Sequence, residues 1–481
     1  MKIKRLPMGL WMLAGFVLAS GYLILNFNSV LTQFFWDEDD YAYVSVAVER
    51  DYPDYIFDRE FYVQEFPRPV VHLYFWLIAL FAGTVVWPYY LANLLLYAAG
   101  GVLLFRLVYK LSGSFSAGIL AGAFYLASPC ASDNLYWMAA GATGYVSGFL
   151  ILLTANLYIN AEEVNKPGKW FPVWLTAVLA MGAKESALSL PLLLTILEFS
   201  RGKFRKGWLK RLLPFYVILA FMATNIIFVQ LSFPRNANFA KYGISWMILR
   251  NLLHFFVYPL SGALPPSTGE YTLVKMIVYP VLWILPLFFG PAKARKFVLI
   301  GFSWIFLSSL VFLQWKMDFE GLLPRICDIP SRYFNLSSMG SSLVVVGLFI
   351  MLRDRFEKRI AYVSVFLFVS VVAVAGVRWT HDNTESMISD GTMERCILDA
   401  ALSSWNGEDT LYIGHFGLRE IRIGFYNRMY FNNRLIQTDG FPVGVSSGTR
   451  MLCGPLMSPK LFLYENGEWS LEKYLSPSDY K

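Results

Sequence analysis

Long apolar runs, separated by short basic clusters, set the pattern of this chain. They cover residues 8–28, 88–108, 114–130, 142–160, 212–232, 273–289, 297–314, 337–352 and 360–377. Several approach the ~20 residues a helix needs to cross the hydrocarbon core of a bilayer. They lack the polar face that a surface helix of a water-soluble domain carries. The segment 170–199 is also apolar, but Lys184 and Glu185 interrupt it, which predicts two short helices meeting at that pair on the outer side. Together these segments predict about eleven crossings. Two others, 72–83 and 252–264, are too short to span comfortably, and Pro259 and Gly262 break the second. Both are expected to lie at the outer surface or dip into it. The first run is longer than the apolar part of a typical signal peptide and reads as a retained helix.

The basic clusters orient the chain. Lys2, Lys4 and Arg5 precede the first run. Arg106/Lys110, Lys166/Lys169, the run 201–211, Lys293/Arg295/Lys296 and the run 353–359 follow later ones. All fall on the cytoplasmic side, as the positive-inside rule requires, if 72–83 and 252–264 do not cross. This places the N-terminus in the cytoplasm and the C-terminus outside. From residue 378 the composition turns polar, with a helical pattern at 384–404 and strand-like stretches at 409–416 and 421–431. The expected architecture is an all-α polytopic membrane domain over 1–377 followed by a small extracytoplasmic α/β domain over 378–481. The first outer loop of the membrane domain is 29–87. A bacterial cytoplasmic (inner) membrane suits the compact length.

Composition narrows the classes further. Charged residues make up 16% of the 481 positions, and hydrophobic ones 56%. Soluble chains carry roughly a quarter charged residues, so a water-facing surface is excluded. The net charge of +7 lies in clusters that anchor loops, and no nucleic-acid motif or Gly-rich phosphate loop is present. Nucleic acid is therefore not an expected partner. Four cysteines and four histidines form no CxxC, no HExxH and no Cys/His cluster, which argues against a zinc site.

Candidate chemistry concentrates in a few polar strings. Asp37, Glu38, Asp39 and Asp40 follow the first membrane run directly. Carboxylates this close raise the pKa of at least one of them, which suits a general base or a cation site at the membrane face. A solvated loop, or acids at the start of a helix near Tyr41, is the simpler reading. Lys184 and Glu185 interrupt an apolar stretch, where ionisable groups are costly and have a partner or a task; a salt bridge pinning a helical hairpin is the plain alternative. Arg332, followed by Tyr333, stands just outside a span, where a snorkelling arginine is the plain alternative. Arg68 precedes a proline, and Asp133 lies in a short outer loop.

In order and spacing these strings resemble the GT-C superfamily of polytopic glycosyltransferases, which use lipid-linked sugar donors. The likeness is to the membrane part of the tetratricopeptide-repeat-containing O-mannosyltransferases. It rests on Asp39/Asp40, Arg68-Pro69, Asn93, Lys184-Glu185 with Pro191, and Arg332-Tyr333 with Gly340. Tyr97 stands where that pattern has histidine, and no tetratricopeptide repeats follow. The arrangement of Asp37, Glu38 and Tyr41 also looks like that of the aminoarabinose transferases and protein O-mannosyltransferases.

The resemblance implies transfer of a sugar from a polyprenyl-phosphate donor to a glycan, lipid or protein acceptor on the outer face, with inversion at the anomeric carbon. Asp37, or a neighbouring acid through Asp40, would be the base. Arg332 would hold the phosphate, with Lys184 second and Arg68 and Arg325 behind it. It leaves a divalent metal open, since GT-C enzymes differ in this. A transporter or flippase would place acids near mid-membrane in related halves, and no half-to-half similarity is found. An O-antigen polymerase or ligase would need a large late loop, whereas the outer stretch 315–336 is short.

Overall fold

The computed structural model describes residues 7–32, 38–57, 68–128, 130, 132–164, 166–201, 207–232, 272–313 and 333–357, with shorter pieces within 248–255 and 359–402 and the strands of the tail. Fourteen helices are named here among the described residues. In chain order they are α1 (Met8–Asn26), α2 (Glu38–Glu49), α3 (Tyr52–Phe57), α4 (Pro69–Ala82), α5 (Trp87–Ser112), α6 (Phe115–Leu126) and α7 (Ser132–Tyr136). They continue with α8 (Met138–Val164), α9 (Phe171–Met181), α10 (Leu190–Ser200), α11 (Trp208–Ser232), α12 (Thr272–Phe289), α13 (Ala292–Ser309) and α14 (Asn335–Arg355).

Local sequence sets many of the boundaries. α4, α5, α9 and α10 each carry a proline in the first turn, where its missing N–H has no intrahelical partner to lose. Ser114 caps α6 by accepting from the Ala117 N–H. The segment 170–199 forms two short helices, α9 and α10, joined by a bend and a 3-10 turn over Glu185–Ser189. Lys184 stands at the cap of that turn.

Of the described helices, α1, α5, α8 and α14 are long and apolar enough to cross a membrane. Their packing differs. The most apolar stretches of α8 and α14 are 89% buried inside the protein, whereas that of α1 is only 17% buried. α1 therefore shows an apolar surface outward, as do Phe81 in α4 (90% exposed) and Phe221 in α11 (70% exposed). Exposed apolar surface on this scale needs lipid rather than water around it.

Inside the bundle, where lipid is as apolar as leucine, helices associate through small residues and polar cross-links. The crossing of α13 and α14 shows the first device. A Cβ at Gly340 would sit 2.6 Å from the Gly301 carbonyl oxygen, and one at Gly301 would sit 2.6 Å from that of Gly340. Only glycine at both positions lets the two backbones touch. The polar cross-links include Asn156 donating to the Leu103 carbonyl at 2.9 Å, Ser308 and Ser337 sharing a bond of 2.9 Å, and Tyr158 donating to Glu198 at 3.0 Å. At the basic end Arg201 pairs with Glu162, and Arg211 with Glu198.

The tail contains a five-stranded sheet: β1 (Leu411–Ile413), β2 (Leu435–Gln437), β3 (Arg450–Cys453), β4 (Lys460–Glu465) and β5 (Glu468–Tyr474), in the order β2-β1-β3-β4-β5. β1 runs parallel to β2 and β3, and the remaining pairs are antiparallel. β1 falls inside the strand expected at 409–416, whereas the strand expected at 421–431 lies outside the described residues. So does most of the helix expected at 384–404, apart from Ala401 and Leu402, and most of 252–264.

Gly340→Leu should break the α13–α14 crossing. Overpacking of this kind costs about 1–3 kcal/mol or more, and here the obstacle is backbone. Thermal unfolding of the purified protein should show a large fall in Tm or loss of folded material. Gly9→Leu, which meets nothing within 4 Å, should leave Tm unchanged; equal behaviour of the two variants would show that the crossing does not hold the bundle.

Candidate functional site

The polar strings at the start of α2, just before α4 and at the α9–α10 bend come together at one end of the bundle. Arg68 stands immediately before α4. Its Nε and Nη2 both donate to Glu185 Oε2, at 3.2 and 3.1 Å. A second link runs beside it: the Val70 N–H donates to the Gly182 carbonyl at 3.3 Å. The start of α4 is thus fastened to the bend by charge and by backbone.

Helix phase in α2 separates the neighbouring acids. Asp40 and Val44 face inward and are fully buried. Asp39 is exposed, and Tyr43, one turn further on, stacks on Phe75 with ring centroids 5.0 Å apart and is close enough to Arg68 for the two to act on each other electrostatically. The charge of Asp39 acts on both Tyr43 and Arg68. Asp40 has a different role: its Oδ1 accepts from the Ala139 N–H at 2.7 Å. Ala139 is the second residue of α8, and Trp137, whose carbonyl accepts the first bond of that helix, has no side-chain oxygen to cap it. The Asp40 carboxylate satisfies one of the N–H groups left open there and sits at the positive end of the helix dipole.

Electrostatics follow from this packing. Burial works against the Glu185 carboxylate, yet Arg68 and Lys184 outweigh it and hold Glu185 below the usual carboxylate range. Burial also works against the Arg68 charge, and Glu185, Tyr43 and Asp39 more than restore it. His72, 4.7 Å from the Tyr43 ring and 4.8 Å from that of Tyr55, is pushed down to about 3 by burial and by Arg68. It is a neutral imidazole at working pH and takes no cationic part.

A polar ladder supports the site from below. Tyr74 of α4 donates to Asn93 Oδ1 at 2.8 Å, and Asn93 Nδ2 donates to the Met138 carbonyl at 2.9 Å. Asn93, singled out in the sequence, therefore ties α4 and α5 to the start of α8. α7 packs so closely on α8 that a Cβ at Gly141 would lie 2.3 Å from the Asn134 carbonyl oxygen.

Among the sequence candidates, Asp39, Arg68 and Glu185 lie together, with Lys184 adjacent and buried. Asp40 turns away from them to the start of α8. Asp133 makes a local bond, accepting from the Tyr136 hydroxyl at 2.9 Å. The Tyr333 ring packs 4.9 Å from Phe312. Asp37, the Glu38 side chain, Arg325 and Arg332 lie outside the described residues. Among the described residues no three His, Cys, Asp or Glu side chains converge as a metal site would require. Sequence reasoning missed Tyr43 and His72. The spacing of Asp39 and Tyr43 was the available signal for the first, and nothing marked the second.

No family model matches the chain, and no curated protein does. The solved structures that match include two of one protein. ArnT from Cupriavidus metallidurans in the apo state is 14% identical, with a TM-score of 0.50 over 92% of this chain and 93% of that chain. The same protein bound to undecaprenyl phosphate gives 14% identity and a TM-score of 0.50 over 89% of this chain and 85% of that chain. The fold is that of ArnT. This bears out the GT-C resemblance at the level of fold, and 14% identity to ArnT carries nothing further.

The distinct positions of the two acids give a stability test. Asp40→Ala should cost about 0.5–2 kcal/mol, the range for a lost helix cap, and lower Tm. Asp39→Ala, at an exposed position, should leave Tm where it is. Equal losses from the two would contradict the assignment of Asp40 to α8.

Proposed function

We propose that this protein is a membrane glycosyltransferase of the GT-C type. It moves a sugar from a polyprenyl-phosphate-linked donor to an acceptor on the outer (periplasmic or luminal) face. One observation carries the reading: Asp39, Arg68 and the Lys184–Glu185 bend converge at one end of a bundle with the fold of ArnT, a protein solved with undecaprenyl phosphate bound.

In this mechanism the acceptor hydroxyl oxygen attacks the anomeric carbon as Asp39 takes its proton. Asp39 is the base because it is exposed beside Arg68, while the Asp40 carboxylate is committed to α8. A single displacement forms the new glycosidic bond, breaks the bond from the anomeric carbon to the phosphate oxygen, and inverts the centre. Polyprenyl phosphate leaves with the bonding electrons. Arg332, whose guanidinium offers forked donors to phosphate oxygens, and Lys184 stabilise that charge. Arg68, held by Glu185, is a positioning residue that keeps α4 and Tyr43 against Asp39. The same reading includes about eleven crossings, an N-terminus on the cytoplasmic side of a bacterial inner membrane, a membrane domain over 1–377 and an extracytoplasmic domain over 378–481.

The test is turnover of radiolabelled polyprenyl-phosphate sugars by the purified protein in lipid nanodiscs. Free polyprenyl phosphate should appear with one class of donor. Asp39→Asn should lower kcat by roughly 10²–10⁴, the usual contribution of a positioned base, with little change in donor affinity. Arg332→Ala should weaken donor binding instead. Wild-type turnover in Asp39→Asn would remove it as the base, and no release from any donor by folded wild-type protein would favour a transporter.

A further inference from the structure

At the basic end of the bundle, away from the site above, a groove of about 520 Å³ opens between α10 and α13. Its walls are apolar and face outward. Ile196 and Phe199 come from α10 and Leu299 from α13, and Phe199 and Leu299 are about half exposed (49% and 56%). At one end the lining becomes cationic, with Arg295 and Lys296 from the first turns of α13 beside Ser200.

Among the described residues no carboxylate pairs with this charge. Arg295 is fixed by its Nε donating to the Gly290 carbonyl at 2.9 Å. Lys296 is half-buried, and the charges acting on it, Arg201 and Lys293, are both positive. Arg201 itself is paired, with Glu162 and with Glu163. Among the described residues neither Arg295 nor Lys296 has a carboxylate at ion-pair distance. A half-buried cation among like charges is unfavourable unless an anion joins it. An outward apolar groove capped by such a cluster matches an acyl chain topped by a phosphate.

We propose that this groove binds an anionic phospholipid of the adjoining leaflet, its acyl chain lying along Ile196, Phe199 and Leu299 and its phosphate held by Arg295 and Lys296. The proposal is independent of the glycosyltransferase reading, since the site lies at the opposite end from Asp39 and Arg68. It distinguishes a built lipid site from the diffuse attraction that any basic loop exerts, which is worth about 1 kcal/mol per charge near an anionic surface.

The full-length protein reconstituted in phosphatidylcholine, with spin-labelled phosphatidylglycerol or spin-labelled phosphatidylcholine as probe, reports the relative association of each lipid. Wild type should prefer phosphatidylglycerol by roughly fivefold or more. Arg295→Gln/Lys296→Gln should abolish the preference. Ser303→Phe, which fills the groove and leaves the charges in place, should also abolish it. Lys166→Ala/Lys169→Ala removes the same charge from another basic loop and should keep it. An equal loss in that control would mean net charge alone, and an undiminished preference in Ser303→Phe would mean that no chain occupies the groove. Displacement of phosphatidylglycerol by millimolar inorganic phosphate would reassign the site to a soluble phosphate; each of these results overturns the proposal. The proposal predicts wild-type donor turnover in Ser303→Phe, which separates it from the outer-face chemistry.

Discussion

The ion pair between Arg68 and Glu185 is the contact on which the arrangement of the candidate site depends. Two segments that are 117 residues apart in sequence meet there, one leading into α4 and the other forming the turn between α9 and α10. Glu185 is almost fully buried and Arg68 about one-quarter exposed, so neither charge is solvated well enough to stand alone. Breaking a buried pair by removing one partner costs about 3–5 kcal/mol, because the other charge is left behind. The pair also has consequences beyond itself. Tyr43 and Asp39 both act on the same guanidinium, and His72, kept neutral chiefly by burial and secondarily by Arg68, lies against Tyr43.

A second constraint is that membrane-embedded backbone must find its partners inside the protein. Asp40 shows how this shapes the site. The start of α8 needs acceptors for its open N–H groups, and its own sequence supplies none at Trp137. A carboxylate from a helix ninety-nine positions earlier meets the need. Once Asp40 is committed in this way, the acid just before it, Asp39, is left to face outward. The polar ladder through Tyr74, Asn93 and Met138 obeys the same logic, since it ties three helices together with bonds that hydrocarbon could not replace.

Much of this was legible in the sequence, for identifiable reasons. Apolar run length reports candidate spans directly, and α1, α5, α8 and α14 fall where runs predicted them; α1 ends just short of its run and the other three extend slightly beyond both ends. The Lys184–Glu185 interruption marked the bend between α9 and α10, because charge inside an apolar stretch has few structural uses. Which of four consecutive acids faces the site was not legible. Adjacent residues on a helix point about 100° apart, so the answer depends on where α2 begins and which face α8 covers. The partner of Glu185 was hidden for a similar reason: Arg68 lies in another loop, and only the folded bundle brings the two together. The groove between α10 and α13 was hidden because Arg295 and Lys296 read along the chain as an ordinary topology-setting cluster. Only the half-buried placement of Lys296 beside other cations sets them apart.

The most direct test of this account is a double-mutant cycle on Arg68 and Glu185, read as donor turnover per folded protein. If the pair acts as one unit that positions α4 and Asp39, then Arg68→Ala, Glu185→Ala and the double variant should lose similar amounts, because the second substitution removes an interaction already gone. Losses that simply add would mean that the two side chains act independently, and the pair would then not be what organises the site.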